Sequence, residues 1–325
     1  MKRQTLSIVV LVVLSFSAVA EPDLFDGAPA APPGYEDHLK AQGAVLSGKV
    51  AMVEPPTSVP DSIVFHDDVE YANHDGTSLS IDLFVPKGVT KPTPTLVFIH
   101  GGGWSGGKKE DYLYYNVKFA ELGYVTASVQ YRLSPANTFP AAVQDVNSAL
   151  AWLRKNADTY HVDVKNIAAI GGSAGGHLSL MAGYSQDPEL DSLEGGDSSV
   201  QAIVNFYGVV DCTVPIAQEA REVTDFIGKS YEDAADKYAQ ASPIHHLDKT
   251  DPPTLTFHGT VDELVPIDQA DVLHAKLDEL GIANYYDRIE GWPHSMDVVQ
   301  PINDRCCYIL ERFLAKHLPL PGDRK

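Results

Sequence analysis

Along the chain, continuous apolar runs alternate with segments whose apolar positions have helical spacing. The runs are short, are rich in Val, Ile and Leu, and lie at 95–99, 124–129, 167–170, 202–206 and 253–259. Runs of this kind are typical of parallel strands that are buried on both faces. Helical spacing follows Pro140, with apolar positions at Val143, Val146, Leu150 and Leu153. The alternation predicts an α/β fold with a mostly parallel central sheet and helices on both faces.

Three segments depart from this alternation. Residues 63–71 and 78–85 resemble an opening antiparallel pair of strands. Residues 213–240 are longer than a plain crossover and are mostly helical, which predicts a short segment that covers the functional site. Residues 21–61 are rich in Pro, Ala and Gly, and we interpret them as a linker or a partly ordered N-terminal lid. The main domain is therefore expected to span residues 62–320.

The first twenty residues are typical of a targeting segment rather than of structure. Lys2 and Arg3 precede a short apolar core at 8–14, and Ala18-Val19-Ala20 fits a cleavage site for signal peptidase. The apolar core is too short to span a bilayer comfortably. We expect residues 1–20 to be a signal peptide cleaved after Ala20, which places the protein in the periplasm or outside the cell. A retained N-terminal anchor is the alternative.

Length and charge limit the classes of function. The chain has 325 residues, enough for one large domain with a well-buried core. It carries 24 Lys and Arg residues against 44 Asp and Glu residues, a net charge of −20. Such an acidic protein is not expected to bind nucleic acid through phosphates, nor to adhere to anionic lipid once the signal peptide is removed.

The predicted strand at 167–170 runs directly into Gly171-Gly172-Ser173-Ala174-Gly175, and a helix follows. A sharp strand-to-helix turn holds a serine hydroxyl in the open, and flanking glycines allow the strand and the helix to approach each other. Ser173 is therefore predicted to be a nucleophile. The backbone N–H of Ala174, at the start of the helix, is placed to bind an oxyanion.

The predicted strand at 95–99 ends in His100-Gly101-Gly102-Gly103-Trp104. Consecutive glycines let backbone N–H groups face a substrate without interference from a Cβ atom. The N–H groups of Gly102 and Gly103 are predicted to complete the oxyanion hole with that of Ala174. We expect the His100 ring to bond to the backbone and to stiffen this loop rather than to act as a base.

The acid and the base are expected after Ser173 in the chain, at the carboxyl ends of late strands. Asp262 follows the run at 253–259, and His294 follows a last strand at 284–289. Asp262 would fix the imidazole tautomer, and His294 would serve as general base and acid. Glu263 and Asp268 are competitors for the acid, and other histidines are expected to be structural or solvated: His177, His245, His246 and His258.

Aromatic residues next to these loops are candidates for substrate binding: Trp104, Tyr131, Tyr207 and Trp292. Trp104 directly follows the oxyanion glycines, and Trp292 lies in the loop of the predicted base, so either could stack on a sugar or an aromatic acyl group. The alternatives are that Trp104 anchors its loop in the core and that Tyr131 and Tyr207 pack beneath the loops.

The three cysteines do not indicate a metal site. Cys306 and Cys307 are neighbours in a predicted helix, where a disulfide between them would be strained. A bridge from Cys212 to either one is left open, but buried free thiols are favoured. One adjacent pair lacks the ligands of a structural zinc site, so we expect no metal.

These motifs, found in this order, resemble the esterase and lipase group of the α/β-hydrolase fold that has a His-Gly-Gly-Gly-Trp loop. The group is related to the hormone-sensitive-lipase-like esterases. The resemblance runs from about 79 to 318 and is greatest to exported bacterial esterases described as feruloyl or acetylxylan esterase-like. The hormone-sensitive-lipase group usually has Asp before the nucleophile, where this chain has Gly172. That departure favours the exported branch.

The resemblance implies a serine carboxylic ester hydrolase with a Ser-His-Asp triad, an acyl-enzyme intermediate and no cofactor. It implies short-chain or carbohydrate-linked acyl esters as substrates, free or attached to a polysaccharide. Two alternatives remain. One is an amide hydrolase of the arylformamidase or peptidase type on the same fold, and the other is a non-catalytic binding module.

Overall fold

The computed structural model describes residues 23–74 and 76–322, so the predicted signal peptide at 1–20 lies outside the described residues. A sheet of eight strands forms the centre of the molecule, in the order β1-β2-β4-β3-β5-β6-β7-β8. β1 and β2 are antiparallel, β2 pairs antiparallel with β4, and the remaining neighbours are parallel. The strands are β1 (Ile63–His74), β2 (Thr77–Pro86), β3 (Thr93–Ile99), β4 (Val125–Val129), β5 (Val162–Gly172), β6 (Ala202–Phe206), β7 (Thr254–Gly259) and β8 (Asn284–Ile289).

Helices cover both faces of this sheet. The core of one face joins the strands to α3, α5 and α9, and the core of the other joins them to α2 and α10. The helices are α1 (His38–Leu46), α2 (Leu113–Glu121), α3 (Ala141–Lys155), α4 (Ala157–Tyr160), α5 (Ala174–Tyr184), α6 (Pro215–Glu219), α7 (Arg221–Ile227), α8 (Tyr231–Gln240), α9 (Asp268–Leu280) and α10 (Gln300–His317). The predicted α/β-hydrolase architecture is confirmed.

The continuous apolar run of β3 explains why a sheet covered on both faces is required. Side chains alternate between the two faces of a strand, so Leu96 and Phe98 enter the core with α2 and α10. Val97 and Ile99 point the other way and join the core with α3 and α5. All four side chains are fully buried. A sheet with one solvated face would have left half of this strand in water.

The segment predicted to cover the site forms three short helices, α6, α7 and α8. Ala220, Glu222 and Val223, at the start of α7, lie over the cavity that contains Ser173. Phe226 and Ile227 at the end of α7 are buried in the core beneath. The apolar residues at the end of α7 thus anchor the cover in the core, while the first turn of α7 borders the cavity.

The N-terminal segment at 23–61 is not a linker, which corrects one of the two interpretations made from its composition. The Tyr308 hydroxyl and the Arg305 guanidinium on α10 donate to the carbonyl oxygens of Asp26 and Pro29, at 2.9 Å each. Farther along, the N–H of Val53 donates to the Val298 carbonyl at 2.8 Å. We call residues 23–56 the N-terminal strap. The sequence did not predict that the strap is ordered, because its Pro content is typical of a linker. The partners that hold it in place lie more than two hundred residues away in the chain.

The strap also holds the loop between β8 and α10. The Trp292 indole N–H donates to the Pro32 carbonyl at 3.1 Å, and the N–H of Tyr35 donates to the Gly291 carbonyl at 2.7 Å. Gly34 lies so close to this loop that a Cβ atom there would be 2.2 Å from the Glu290 carbonyl oxygen. The loop that carries His294 is therefore packed from outside by the strap.

The three cysteines are free and buried. Cys212 belongs to the core that includes α5, whereas Cys306 and Cys307 on α10 belong to the core on the opposite face of the sheet. A disulfide needs Cα atoms within about 7 Å, and the sheet separates these residues. The bridge from Cys212 that the sequence left open is therefore ruled out by the fold.

Among the described helices, none combines the length and the hydropathy that crossing a membrane requires.

The strap offers a matched pair of glycine substitutions that tests whether it is docked. Gly34→Ala places a methyl group against the backbone of the β8–α10 loop and should destabilise the fold by about 1–3 kcal/mol. Gly43→Ala, in α1 with nothing within 4 Å of the new Cβ, should stabilise it by about 0.5–1 kcal/mol. Denaturant unfolding of both variants measures the difference. Equal stabilities would mean that the strap does not pack on the loop.

Candidate active site

The turn between β5 and α5 places Ser173 in a strained backbone conformation, with φ 56° and ψ −121°. Its N–H donates to the Phe206 carbonyl at 2.9 Å, and its carbonyl accepts from the N–H of His177 at 3.0 Å. A Cβ at Gly175 would be 1.9 Å from the Ile99 carbonyl oxygen, so this turn can form only where that side chain is missing. The hydrogen bonds of Ser173 and the close contact between Gly175 and Ile99 stabilise this strained conformation, as the surrounding structure does at many functional sites.

The glycine loop after β3 lies directly against this turn. A Cβ at Gly101 would be 3.4 Å from the Cβ of Ser173 and 2.8 Å from the Gly172 carbonyl oxygen. Gly102 and Gly103 have φ values of 108° and 58°, the left-handed region that favours glycine. Both residues and Ala174 line the same cavity as Ser173. The three residues predicted to supply the oxyanion donors therefore lie together beside the serine.

His100 supports this loop from behind. Its ring is 1% exposed and stacks on Tyr131 with centroids 4.2 Å apart, and Nδ1 lies 2.9 Å from the Gly101 carbonyl oxygen. Burial lowers the pKa of His100, so the ring is neutral and Nδ1 can donate to that carbonyl. The Tyr131 hydroxyl donates to the His100 carbonyl at 2.9 Å. Both side chains act as braces for the oxyanion loop.

Asp262 and His294 meet at the carboxyl ends of β7 and β8. Nδ1 of His294 lies 2.7 Å from Oδ2 of Asp262, and Oδ1 of Asp262 accepts from the N–H groups of Leu264 and Val265 at 2.9 Å each. This pairing puts the proton on Nδ1 and leaves Nε2 free as a base. His294 and Ser173 line one cavity.

The charge of Asp262 is well stabilised. Burial raises its pKa, but hydrogen bonds from His258 and His294 outweigh that effect and bring the pKa to about 2. His258 is buried, with Nε2 3.3 Å from Asp262 Oδ2 and 2.8 Å from the Val265 carbonyl oxygen. The sequence predicted that His258 is structural or solvated, but it did not indicate that His258 pairs with Asp262. The competitors Glu263 and Asp268 are both exposed, and neither bonds to His294.

The cavity around Ser173 measures about 690 Å³. One wall is the glycine loop, and the first turn of α7 forms the roof. Another part of the lining, which we call the polar side, has hydroxyl, amide and carboxyl groups: Tyr112, Tyr115, Tyr207, Asp297 and Asn303. Val53 and Pro55 of the N-terminal strap also line the cavity. The cavity thus combines short aliphatic surfaces with a polar side.

Trp104 borders the cavity, but its ring is only 2% exposed. The indole stacks on Phe226 at 4.4 Å, and its Nε1 donates to Nδ1 of His177 at 3.1 Å. The other nitrogen of His177 lies 2.7 Å from the Ala241 carbonyl oxygen, and burial lowers the pKa of His177 to about 4. These contacts favour the anchoring alternative, in which Trp104 fixes the glycine loop to α5 and α7.

Two of the aromatic assignments are wrong. Trp292 is 1% exposed and packs edge-on against Tyr35 of the strap, away from the cavity lining. Tyr131 faces the underside of the glycine loop, as described above. Tyr207 does line the cavity, and its ring lies 4.6 Å from the imidazole of His294. Of the four candidates, Tyr207 is therefore the one placed to contact a substrate beside the base.

One described cluster has the spacing of metal ligands: Asp67, Asp68 and Asp82. The ammonium group of Lys109 lies 3.0 Å from Asp68 and 2.6 Å from Asp82. Because that ammonium already lies among the three carboxylates, we interpret the group as an ion-pair network in which Lys109 supplies a positive charge.

Comparisons with known proteins agree with this geometry. A family model described as BD-FAE matches residues 81–277. Esterase LipC of Mycobacterium tuberculosis is 33% identical over 220 residues, 65% of this chain and 55% of its own length. The chain spans about half the length of the first curated relatives that it matches.

Solved structures show the same fold. A thermophilic esterase of Thermogutta terrifontis, Est2, superimposes with a TM-score of 0.69 at 24% identity, over 84% of this chain and 98% of its own. A truncated carbohydrate esterase from gut microbiota gives a TM-score of 0.65 at 26% identity, over 80% of this chain and 99% of its own.

The pairing of Asp262 with His294 can be tested without choosing a substrate. A fluorophosphonate reacts with a serine only when a base activates it, so Asp262→Asn should slow labelling of Ser173 by up to about 10⁴-fold through the wrong imidazole tautomer. Glu263→Gln is the matched control and should label at the wild-type rate. Labelling is followed by mass spectrometry of the Ser173 peptide. If Glu263→Gln were the slower variant, the acid would be Glu263.

Proposed function

The chain belongs to the BD-FAE family of α/β-hydrolase esterases, and on that basis we propose that it hydrolyses carboxylic esters with Ser173 as nucleophile, His294 as base and Asp262 as acid. The observation that supports this most directly is the convergence in one cavity. A strained serine, an imidazole paired with a buried carboxylate and the backbone of Gly102 and Gly103 all border the same space.

The proposed reaction is a two-step acyl transfer. Nε2 of His294 takes the proton of the Ser173 hydroxyl as its oxygen attacks the ester carbonyl. The N–H groups of Gly102, Gly103 and Ala174 bind the oxyanion, and each such donor is typically worth about 10²–10³ in rate. The imidazolium, stabilised by Asp262, protonates the leaving alcohol. Water then hydrolyses the acyl-enzyme by the same route and restores the serine.

Short-chain or carbohydrate-linked acyl esters are the proposed substrates. An apolar group placed against the polar side of this cavity would have to desolvate its hydroxyl, amide and carboxyl groups, which is costly. A small acyl group on a polar alcohol meets no such cost. The carbohydrate esterase from gut microbiota, which shares the fold, is consistent with this preference.

A substrate panel tests the proposal. The 4-nitrophenyl esters of acetate and butyrate should be hydrolysed with much higher kcat/KM than the dodecanoate, and acetylated xylo-oligosaccharides should release acetate. Ser173→Ala should lose about 10⁶-fold in kcat while its thermal unfolding stays like that of the wild type. A higher rate on an N-formyl aryl amide than on every ester would favour the amide hydrolase instead.

Export is a separate proposal that rests on the sequence of residues 1–20. Lys2, Arg3, the apolar core at 8–14 and Ala18-Val19-Ala20 have the order of a cleavable signal peptide. The full chain expressed in a bacterium should appear in the periplasm or medium with Glu21 as its first residue, as measured by intact mass. Leu11→Arg, which charges the apolar core, should leave the protein uncleaved in the cytoplasm. Finding the wild-type chain uncleaved would contradict the proposal.

A further inference from the structure

A buried carboxylate that the acyl-transfer steps do not use lies on the polar side of the cavity. Asp297 is 6% exposed and follows His294 by three residues. Its Oδ1 accepts from the Tyr207 hydroxyl, and its Oδ2 accepts from the Tyr115 hydroxyl at 3.2 Å. Asn303 holds the group in place, because its Nδ2 donates to the Asp297 carbonyl at 2.9 Å and to the Tyr115 oxygen at 2.7 Å.

In the described part of the chain, Asp297 has no Lys or Arg partner, unlike another buried carboxylate nearby in sequence. Asp287 on β8 is equally buried, but it forms two hydrogen bonds with the Arg305 guanidinium, at 2.8 and 2.9 Å. Burial raises the pKa of Asp297, and the hydrogen bonds from Tyr207 and Tyr115, together with the nearby charge of His294, offset part of that rise. A buried carboxylate without a Lys or Arg partner costs stability, which points to a role for Asp297 in the cavity.

The network still has room for a hydrogen-bond donor. A carboxylate offers about four lone-pair positions, and the two tyrosine hydroxyls occupy two of them. The Tyr207 oxygen can also accept, and the Tyr115 oxygen, which already accepts from Asn303, keeps one further lone pair. Since Asp297, Tyr115 and Tyr207 all line the cavity, the surface they present to a bound molecule consists of acceptors. A hydroxyl group is the neutral donor that fits such a surface.

The position of Tyr207 indicates which part of an ester this hydrogen-bond network would contact. The Tyr207 ring lies 4.6 Å from the imidazole of His294, and under the proposed function that imidazole delivers a proton to the leaving alcohol. Groups beside it therefore border the alcohol rather than the acyl chain. We propose that Asp297, with Tyr115 and Tyr207, forms a subsite that accepts a hydrogen bond from a second hydroxyl on the alcohol part of the ester, as in an ester of a polyol or sugar.

This inference rests on the proposed esterase activity, and the test separates the two. The substrates are cyclohexyl acetate and trans-2-hydroxycyclohexyl acetate, which differ by one hydroxyl on the alcohol. The wild-type protein should prefer the hydroxylated ester in kcat/KM by about 10- to 100-fold, the value of a hydrogen bond to a charged group. Asp297→Asn should remove most of that preference, because the amide replaces an acceptor oxygen by a donor.

The matched control is Asp287→Asn, a buried carboxylate outside the cavity, which should keep the preference ratio of the wild type. The two variants should also differ in thermal unfolding at pH 8. Asp287→Asn leaves Arg305 without its partner and should lower the Tm, whereas Asp297→Asn removes a buried charge that is only partly compensated and should lower the Tm less.

Three results would overturn the inference while leaving the esterase proposal intact. They are a wild-type protein that does not distinguish the two acetates, an Asp297→Asn variant that slows both acetates equally, and a preference found instead for methyl 3-hydroxybutanoate over methyl butanoate. The wild-type comparison needs no variant, so it decides even if Asp297→Asn fails to fold. Failure to hydrolyse any of these esters would count against the esterase activity itself.

Discussion

The contact between two backbone segments beneath Ser173 is the constraint on which the site depends. β3 and β5 are neighbours in the sheet, and the loop after β3 meets the turn after β5 with no side chain between them. A Cβ at Gly175 would be 1.9 Å from the Ile99 carbonyl oxygen, and one at Gly171 would be 2.4 Å from the Gly175 backbone. Only because these positions are glycine can oxyanion donors from one loop surround a hydroxyl held by the other.

Two buried aspartates near His294 have different surroundings, and their pKa values are shifted in opposite directions. Burial raises the pKa of Asp262, but hydrogen bonds from His258 and His294 bring it down to about 2. Burial raises the pKa of Asp297, which accepts from tyrosine hydroxyls and has no Lys or Arg partner among the described residues. The first is fitted to stabilise a positive imidazolium. The second is an acceptor whose charge is only partly compensated, which suits contact with a polar ligand.

The fold and the proposed triad could be predicted because their signals are local. Buried runs such as β3 give the strand type, and Ser173, Asp262 and His294 each follow a strand whose carboxyl end meets the others at one edge of the sheet. The assignments of Tyr131 and Trp292 failed because they depend on which way a side chain turns. Tyr131 points under its loop to the His100 carbonyl. Trp292 turns outward because Pro32, 260 residues earlier in the chain, supplies its hydrogen-bond acceptor.

That distant contact bears on how the base is positioned. The loop of His294 is fixed at both ends by the N-terminal strap, through Gly291 with Tyr35 and through Val298 with Val53. Ser173 and the glycine loop are held instead by contacts between the loop after β3 and the turn after β5. The position of the base and of Asp297 therefore depends on a segment from the other end of the chain, whereas the contacts beneath the nucleophile lie within the sheet and its connecting loops.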